Sequence, residues 1–357
     1  MKITVVRPGE LGPGELERWR AMQHASPTLR NPFLSPEFTL AVGAARDTAR
    51  VAVLQDGQQI VGFFPHEWRG RFLGTAIGAG ISDCQGMVHA PGLDWDPMEL
   101  VRACRLPVWE FDHLLADQAP FARYHTGCVG SPVMDLSGGF PEYLAGRAKA
   151  TNGSIADIRR KTRKLEREIG PLRFEYQTSD AGSLQRVMDW KSAQYHRTRA
   201  VDQFRTPWVI AAVTELYAAR TAQCRGTLSM LYAGERPVAA HFGIRSESVL
   251  SYWFPAYDMQ YARYSAGLAL LLRMAESAAA EGIDHIDLGR GQARYKDGLK
   301  THELPIAAGR VSASWPVGAA RRTQLAVRSG VRQTLHRPSL RHVLRLGKLV
   351  RQVASRG

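Results

Sequence analysis

Hydrophobic and polar positions recur along the chain with two periods, one typical of strands and the other typical of helices. The predicted strands are Ile3–Arg7, Arg50–Gln55, Gln59–Pro65, Val108–Leu114, Ser131–Leu136, Arg173–Tyr176, Gly226–Ala233, Arg236–Ser246, Ser248–Pro255 and Ile286–Leu288. The predicted helices are Glu15–His24, Pro36–Arg46, Pro97–Cys104, Gly139–Lys149, Ile155–Ile169, Ser183–Arg197, Pro207–Gln223 and Ser265–Glu281. Strands and helices mix throughout the chain, which predicts an α/β fold with mixed sheets.

Turn residues separate these elements. Asp56-Gly57 between two strand-like runs is a two-residue hairpin signal, Gly74–Gly86 reads as a glycine-rich loop, and Gly282 suits a helix C-terminus. Both halves follow a similar order of strand, helices, hairpin, loop, helix and strand.

This repeated order predicts two domains and a tail. We assign residues 1–150 and 151–317 to the domains and residues 318–357 to the tail. The chain of 357 residues, with 45% hydrophobic and 22% charged residues, has the length and composition of a two-domain globular protein. No apolar stretch is long enough to span a membrane.

The four cysteines suit neither a zinc site nor a disulfide framework, since none forms a CxxC pair. We therefore expect no metal, and a cytoplasmic location. The sequence also lacks a nucleophile elbow, an HExxH motif and a Walker motif, which argues against serine hydrolases, zinc proteases and P-loop NTPases.

The net charge of +14 is concentrated at one end of the chain. Residues 318–357 contain ten Lys or Arg and no acidic residue. From Leu340 the apolar positions recur every three or four residues, which predicts a basic amphipathic helix that lies on an anionic membrane surface. A solvated tail and an RNA-binding tail remain open. The membrane interpretation implies peripheral attachment at the inner membrane face.

The clearest chemical signal is a strand that leads into a helix whose first turn is small. Ser265-Ala-Gly-Leu-Ala269 follows the strand Leu250–Asp258. Small residues let a pyrophosphate approach the N-terminal amides, where the helix dipole favours negative charge. The alternative is that Gly267 packs against a neighbouring strand. Asp287 then precedes the Gly289-Arg-Gly291 turn, and acidic residues at strand ends beside glycine loops are common in catalysis.

Several segments together carry a family resemblance. They are Ser82–Gly86, Asp189–Lys191 with Tyr195, Val238–Gly243, Tyr252–Tyr257, Tyr264–Gly267, and Ile286–Gly291 with Tyr295-Lys296. The region Asn31–Val311 resembles the GNAT-superfamily acyltransferases of the CelD-type group of cellulose and exopolysaccharide biosynthesis, which are related to Fem-like aminoacyltransferases.

The resemblance implies tandem GNAT-like domains and transfer of an acyl group from a thioester to an amine. It implies acyl-CoA as the donor, bound at Tyr264, Ser265, Gly267, Leu268 and Ala269, and an amino sugar or related envelope precursor as the acceptor. GNAT pyrophosphate motifs begin with Arg or Gln where this chain has Tyr264, so aminoacyl-tRNA remains the alternative donor. A non-catalytic accessory protein of a polysaccharide synthase is the rival from another class.

Amine acylation needs a base, a group that stabilises the oxyanion and a proton for the departing thiolate. We predict His241 as the base, because its ordinary pKa lies near neutrality; a core histidine is the alternative. Asp287 would orient His241 or act as the base. Tyr295 would protonate the thiolate, and Lys296 would bind phosphate or polarise the carbonyl.

The remaining candidates would contact the acceptor. Lys191 and Tyr195 share one helix face and would line the cleft between the halves. Trp253 and Tyr257 would stack on a sugar, with core packing as the alternative. The other predicted contacts are Asp83 and Gln85 in the glycine-rich loop, and Arg159 with Arg160 and Arg163 in the basic helix, which by resemblance to Fem-like enzymes would lie near a phosphate-bearing acceptor.

Overall fold

The computed structural model describes residues 1–150, 154–291, 293–314, 317–319, 321 and 324. Most of the predicted tail, residues 318–357, lies outside the described residues. At Arg321 the chain is tied to the first half, since its Nε and Nη2 each donate to the Glu110 carboxylate at 2.8 Å. Within the described part of the chain, no helix has both the length and the apolar character needed to cross a membrane.

The strands are β1 (Lys2–Val6), β2 (Ala49–Asp56), β3 (Gln59–Arg69), β4 (Leu73–Ala76), β5 (Val88–His89), β6 (Val108–Leu115), β7 (His125–Asp135), β8 (Leu172–Glu175), β9 (Arg225–Ala233), β10 (Arg236–Arg245), β11 (Val249–Tyr257), β12 (His285–Asp287) and β13 (His302–Ser312). The helices are α1 (Pro13–Ala25), α2 (Pro36–Ala45), α3 (Pro97–Ala103), α4 (Phe140–Ala150), α5 (Ser154–Ile169), α6 (Ala181–Thr198), α7 (Pro207–Ala218), α8 (Ala266–Ala280) and α9 (Arg294–Leu299).

The described strands form one thirteen-stranded sheet in the order β1-β2-β3-β4-β6-β13-β7-β12-β11-β10-β9-β8, with β5 beside β3. The same pairing pattern occurs twice in this order. β1 to β4 pair antiparallel in succession, and β4 then pairs parallel with β6. β8 to β11 pair in the same way, and β11 pairs parallel with β12. The predicted mixed fold of two similar halves is confirmed.

The two halves exchange their last strands. β7 follows β6 in the chain but pairs antiparallel with β12, while β13 follows β12 but pairs antiparallel with β6. β7 and β13 also pair with each other at the centre of the sheet. Because the halves share this sheet, the predicted boundary between residues 150 and 151 stays a prediction.

A buried aromatic cluster also joins the halves. Trp253 of β11 lies edge-on to Phe33, with ring centroids 5.1 Å apart, and its Nε1 donates to the Ile81 carbonyl at 2.8 Å. Trp253 is also stacked on Phe254 at 4.4 Å. Burial of apolar surface is the main stabilising term in folding, and these aromatic residues belong to one hydrophobic cluster that contains residues of both halves.

Local predictions and structure differ at three strands. The prediction began β7 at Ser131, whereas the strand begins at His125, and β13 was not predicted. The glycine-rich loop Gly74–Gly86 begins as strand β4. Exposed residues and glycines hide these strands from a search based on hydrophobic alternation, because their pairing depends on partners far away in sequence.

Candidate active site

A cavity opens where two parallel strands separate. β11 and β12 pair only at Val249–Ser251 with His285–Asp287, after which β12 ends and β11 continues to Tyr257. The cavity in this gap has a volume of ≈ 560 Å³. It is lined from β11 by Tyr252, Pro255 and Tyr257, from α6 by Lys191 and Gln194, from the start of α8 by Ala262, Ser265, Ala266, Gly267 and Leu268, and from the turn before α9 and its first residues by Arg290, Gly291, Ala293, Tyr295 and Lys296.

The start of α8 forms part of the wall of this cavity. Ser265 adopts a left-handed conformation with φ of 56°. The amides of Leu268 and Ala269 donate to the Ser265 carbonyl, at 2.9 and 3.1 Å. Among the described residues, the amides of Ala266 and Gly267 have no protein acceptor. These two donors and the helix dipole form a site suited to a phosphate.

Gly267 keeps this helix start open. A Cβ at this position would lie 3.3 Å from Cδ1 of Tyr257, closer than an ordinary contact. The Tyr252 hydroxyl donates to the Gly267 carbonyl at 3.4 Å. The wall of β11 therefore lies directly against the first turn of α8, and even one methyl group would reduce the space between them.

Asp287 and Lys296 hold the glycine turn at the opposite wall. Asp287 accepts hydrogen bonds from Ser131 Oγ at 2.6 Å and from the Gly289 amide at 2.9 Å. Lys296 Nζ donates to the Gly289 carbonyl at 2.7 Å and more weakly to that of Arg290 at 3.4 Å. The turn is thus fixed from both ends, with the Lys296 ammonium group at the cavity surface.

A second lysine faces the same cavity from α6. Lys191 Nζ donates to the Pro255 carbonyl at 3.1 Å and lies 5.5 Å from the centre of the Tyr195 ring. Burial, followed by the charge of Lys296, lowers the pKa of Lys191 to about 8. Burial also lowers the pKa of Lys296, against the opposing attraction of Asp83 and Asp287. Both ammonium groups lack full hydration, which strengthens their interaction with an incoming anion.

Asp83 brings an acidic group from the first half to this turn. A Cβ added to Gly289 would lie 3.0 Å from Oδ2 of Asp83. The other carboxylate oxygen, Oδ1, is 4.0 Å from His113 Nε2. Burial is the main cause that raises the pKa of Asp83 to about 6, and the neighbouring Asp287 raises it further. A carboxyl group with this pKa changes protonation state within the range in which enzymes commonly work.

His241 is buried behind the cavity wall. Its ring is fully buried and stacked on Tyr252, with centroids 4.6 Å apart and an interplanar angle of 10°. Burial lowers the pKa of His241 to about 3. Neither ring nitrogen has a hydrogen-bond partner among the described residues. Asp287 binds Ser131 and Gly289 rather than His241, so the predicted Asp–His pair is not formed.

Two of the predicted site residues, Tyr295 and Tyr257, line the cavity. Burial raises the pKa of Tyr295 to about 12, so its hydroxyl stays protonated at neutral pH and remains a proton donor. Ser265, Gly267 and Leu268 also lie at the cavity surface. The structure therefore brings together the predicted donor-binding turn and the predicted proton donor.

Other predicted site residues lie away from the cavity. Trp253 is part of the core described above. The Tyr264 side chain turns inward and donates to Glu168 Oε2 at 2.6 Å, and Ala269 is buried under the helix. Gln85 binds along β6, donating to Asp112 Oδ1 at 2.9 Å and accepting from the Asp112 amide at 3.0 Å. Arg159 is exposed on α5.

Among the cavity residues that were not predicted, Gln194 and Arg290 carry polar side chains. Gln194 lies three positions after Lys191 and so shares its helix face, which is the signal that could have identified it. Arg290 is the middle residue of the glycine turn, and its Nη1 donates to the Asp112 carbonyl at 2.9 Å. It reaches from the second half to the first, a contact that no local pattern predicts.

Comparison with known proteins agrees with this geometry. Residues 153–297, which include the cavity walls, match the family model described as an acetyltransferase (GNAT) domain. No curated protein sequence matches the chain significantly.

Solved structures extend the likeness to nearly the whole chain. FemX is 9% identical, with 87% of this chain and 96% of that chain covered and a TM-score of 0.58. A conserved protein of unknown function from Bacteroides thetaiotaomicron is 12% identical, with 86% and 99% covered and a TM-score of 0.55. The C-terminal domain of a candidate lysylphosphatidylglycerol synthetase from Agrobacterium fabrum is 14% identical, with 87% and 95% covered and a TM-score of 0.53. At these identities the likeness shows a shared fold.

Proposed function

We propose that this protein is an N-acyltransferase that transfers an acyl group from acyl-CoA to a primary amine of an amino sugar or related envelope or exopolysaccharide precursor. One observation carries the proposal. Among the described residues, the amides of Ala266 and Gly267 have no protein acceptor, and both residues line a cavity that also contains a protonated tyrosine and two partly desolvated lysines. The pyrophosphate of the donor would bind these amides, with its thioester directed towards Tyr295 and Lys296.

The chemical step uses residues that line the cavity together with Asp83, which lies beside the Gly289 turn. The ammonium group of the acceptor loses a proton to Asp83, whose pKa of about 6 leaves it ionised at neutral pH. The amine nitrogen attacks the thioester carbon, and the Lys296 ammonium stabilises the oxyanion. The carbon–sulfur bond then breaks and Tyr295 protonates the thiolate. Two protons leave the nitrogen in total; one replaces the proton that Tyr295 gives to sulfur, and one passes to solvent.

We assign the base to Asp83 in place of His241 for two reasons. His241 is fully buried against Tyr252, and a pKa of about 3 makes it a weak proton acceptor. Asp83 lies beside the Gly289 turn at the meeting point of the two halves. Asp287, which is occupied by Ser131 and Gly289, would position that turn.

Calorimetric titration with CoA and a thiol-release assay with acetyl-CoA test this proposal. We expect CoA to bind, and thiol release to require both an amine and Tyr295. A panel of glucosamine, simple alkyl amines and short peptides would define the acceptor. Binding of CoA without turnover on any amine, or no CoA binding at all, would contradict acyl transfer from CoA. In the second case an aminoacyl-tRNA would be tried as donor, and inactivity with both donors would favour the accessory-protein alternative.

We further propose that residues 318–357 attach the protein to anionic membranes, on the basis of their ten basic and no acidic residues. Sedimentation with vesicles that contain phosphatidylglycerol should recover the full chain and leave a variant lacking these residues in solution. Equal recovery of both forms would contradict this attachment.

A further inference from the structure

The N-terminal part of β7, residues 125–130, is paired with a strand on one side only among the described residues, which leaves an open edge on its other side. β13 pairs with one side of β7 from His125 to Val133, but β12 covers the other side only at Val133–Asp135. In the described residues no other strand takes the place of β12 along the remaining length. Residues 126–129 are all exposed.

The backbone direction shows which groups face this edge. Pro132 O accepts from the Leu288 amide on the β12 side at 2.9 Å, whereas Val133 O accepts from the Thr301 amide on the β13 side at 2.7 Å. Backbone groups of successive strand residues point to opposite sides. The N–H and C=O groups of Cys128 and Gly130 therefore point to the open edge, where no described residue binds them.

This edge lacks the usual protection against pairing. Natural sheet edges are commonly blocked by charged residues or proline. The segment Thr126-Gly-Cys-Val-Gly130 contains neither. An unblocked edge of five residues spans about 17 Å at roughly 3.4 Å per residue, which fits a peptide of four or five residues.

The open edge leads directly to the candidate active site. Ser131 follows Gly130 and donates to Asp287 at 2.6 Å, and the chain leaves β12 through the Gly289 turn at this level. β12 runs antiparallel to β7. A peptide that continues this antiparallel pairing along Gly130 and Cys128 has its N-terminus at the Gly289 turn. Its free amine would then lie on the side of Asp83 and Lys296.

We propose that the acceptor carries an extended peptide, which binds as an antiparallel strand along Thr126–Gly130 and presents its N-terminal amine at the Gly289 turn. This assignment rests on the proposed acyl transfer and narrows its acceptor to peptide-bearing precursors. The main-chain bonds would supply affinity without selecting side chains strongly.

The test uses the full chain and an alanine–serine hexapeptide with a free N-terminus and a C-terminal fluorophore. Fluorescence anisotropy measures its binding. Cys128→Pro removes the outward N–H but leaves the bonds to β13 intact, so we expect affinity to fall about tenfold. Cys128→Ala, which keeps the N–H, should bind like the wild type. A peptide N-methylated at alternate residues should bind equally weakly to the unaltered protein, which controls for misfolding of the proline variant.

Two results would overturn the assignment: no binding of the hexapeptide, or equal binding by the wild type and Cys128→Pro. The thiol-release assay with acetyl-CoA distinguishes failure of the peptide assignment from failure of the proposed acyl transfer. Turnover on glucosamine that Cys128→Pro does not alter, without turnover on the peptide, would contradict the peptide acceptor and retain acyl transfer. Peptide binding that depends on Cys128 without any thiol release would support the edge as a peptide site and contradict acyl transfer.

Discussion

Replacing Gly267 with alanine tests the donor site by adding a single methyl group. The added Cβ would lie 3.3 Å from Cδ1 of Tyr257, so the ring or the helix must move by a few tenths of an ångström. The methyl group would also occupy space beside the free amides of Ala266 and Gly267. If one hydrogen bond to a phosphate is lost or lengthened, the loss is about 1.5–3 kcal/mol. CoA affinity should then fall about tenfold or more.

The free energy of unfolding of Gly267→Ala should rise slightly or stay unchanged. Alanine is favoured over glycine in helices by about 1 kcal/mol, which offsets the close contact with Tyr257. Gly146 of α4 is a matched control, because it is helical and a Cβ there meets nothing within 4 Å. Gly146→Ala should gain similar helix stability and bind CoA like the wild type.

Calorimetric titration of the two variants and thermal unfolding without ligand provide the measurements. Weaker CoA binding by Gly267→Ala, with an unfolding temperature near that of the wild type, would support a phosphate at the start of α8. Unchanged CoA binding by Gly267→Ala would refute the reasoning. An equal loss of binding in Gly146→Ala would also refute it, because the effect could not then arise at the cavity.

Three further predictions concern charge and packing. The lowered pKa of Lys191 means that the unfolded state binds more protons between about pH 8 and 10.5, so the free energy of unfolding should rise with pH in this window and do so less in Lys191→Met, as followed by urea unfolding. The raised pKa of Asp83 predicts that kcat/KM falls below about pH 6 and that Asp83→Asn loses both this limb and about 10²–10⁴ of the rate; an unchanged profile would exclude Asp83 as the base. Trp253→Ala should reduce the free energy of unfolding by about 3–5 kcal/mol, whereas a stable variant with a selective defect on sugar acceptors would restore the stacking role.

Local signals predicted the parts of the fold that are determined by neighbouring residues. The predicted hairpin forms between β2 and β3, with its turn at Gly57-Gln58, one residue later than predicted, and with Gly57 at φ of 57°. Gly282 follows α8 with φ of 81°, as a C-terminal glycine should. The small residues at the start of α8 likewise indicated a cavity wall. In each case a few adjacent residues determine the conformation.

The remaining features depend on contacts between distant segments. The exchange of β7 and β13 joins residues more than 150 positions apart, and nothing in the hydrophobic pattern marks it. The inward orientation of Tyr264 depends on Glu168 in another helix. Gln85 is buried because its amide completes the edge of β6, a role that its polar character in a glycine-rich loop does not reveal.

His241 illustrates the same limit at the site. A histidine in a small, apolar strand suggests a catalytic base, and its strand does lie beside the cavity wall. Its stacking on Tyr252 and its burial cannot be read from the strand itself, because they depend on which face of β10 the side chain occupies. Asp83 gains its raised pKa only when the first half approaches the Gly289 turn.

A crystal structure of the protein with CoA tests the central claim most directly. We predict pyrophosphate oxygens within about 2.7–3.2 Å of the amide nitrogens of Ala266 and Gly267, and the thiol end between Tyr295 and Lys296. CoA bound elsewhere, with the start of α8 unoccupied at saturating ligand, would contradict the account.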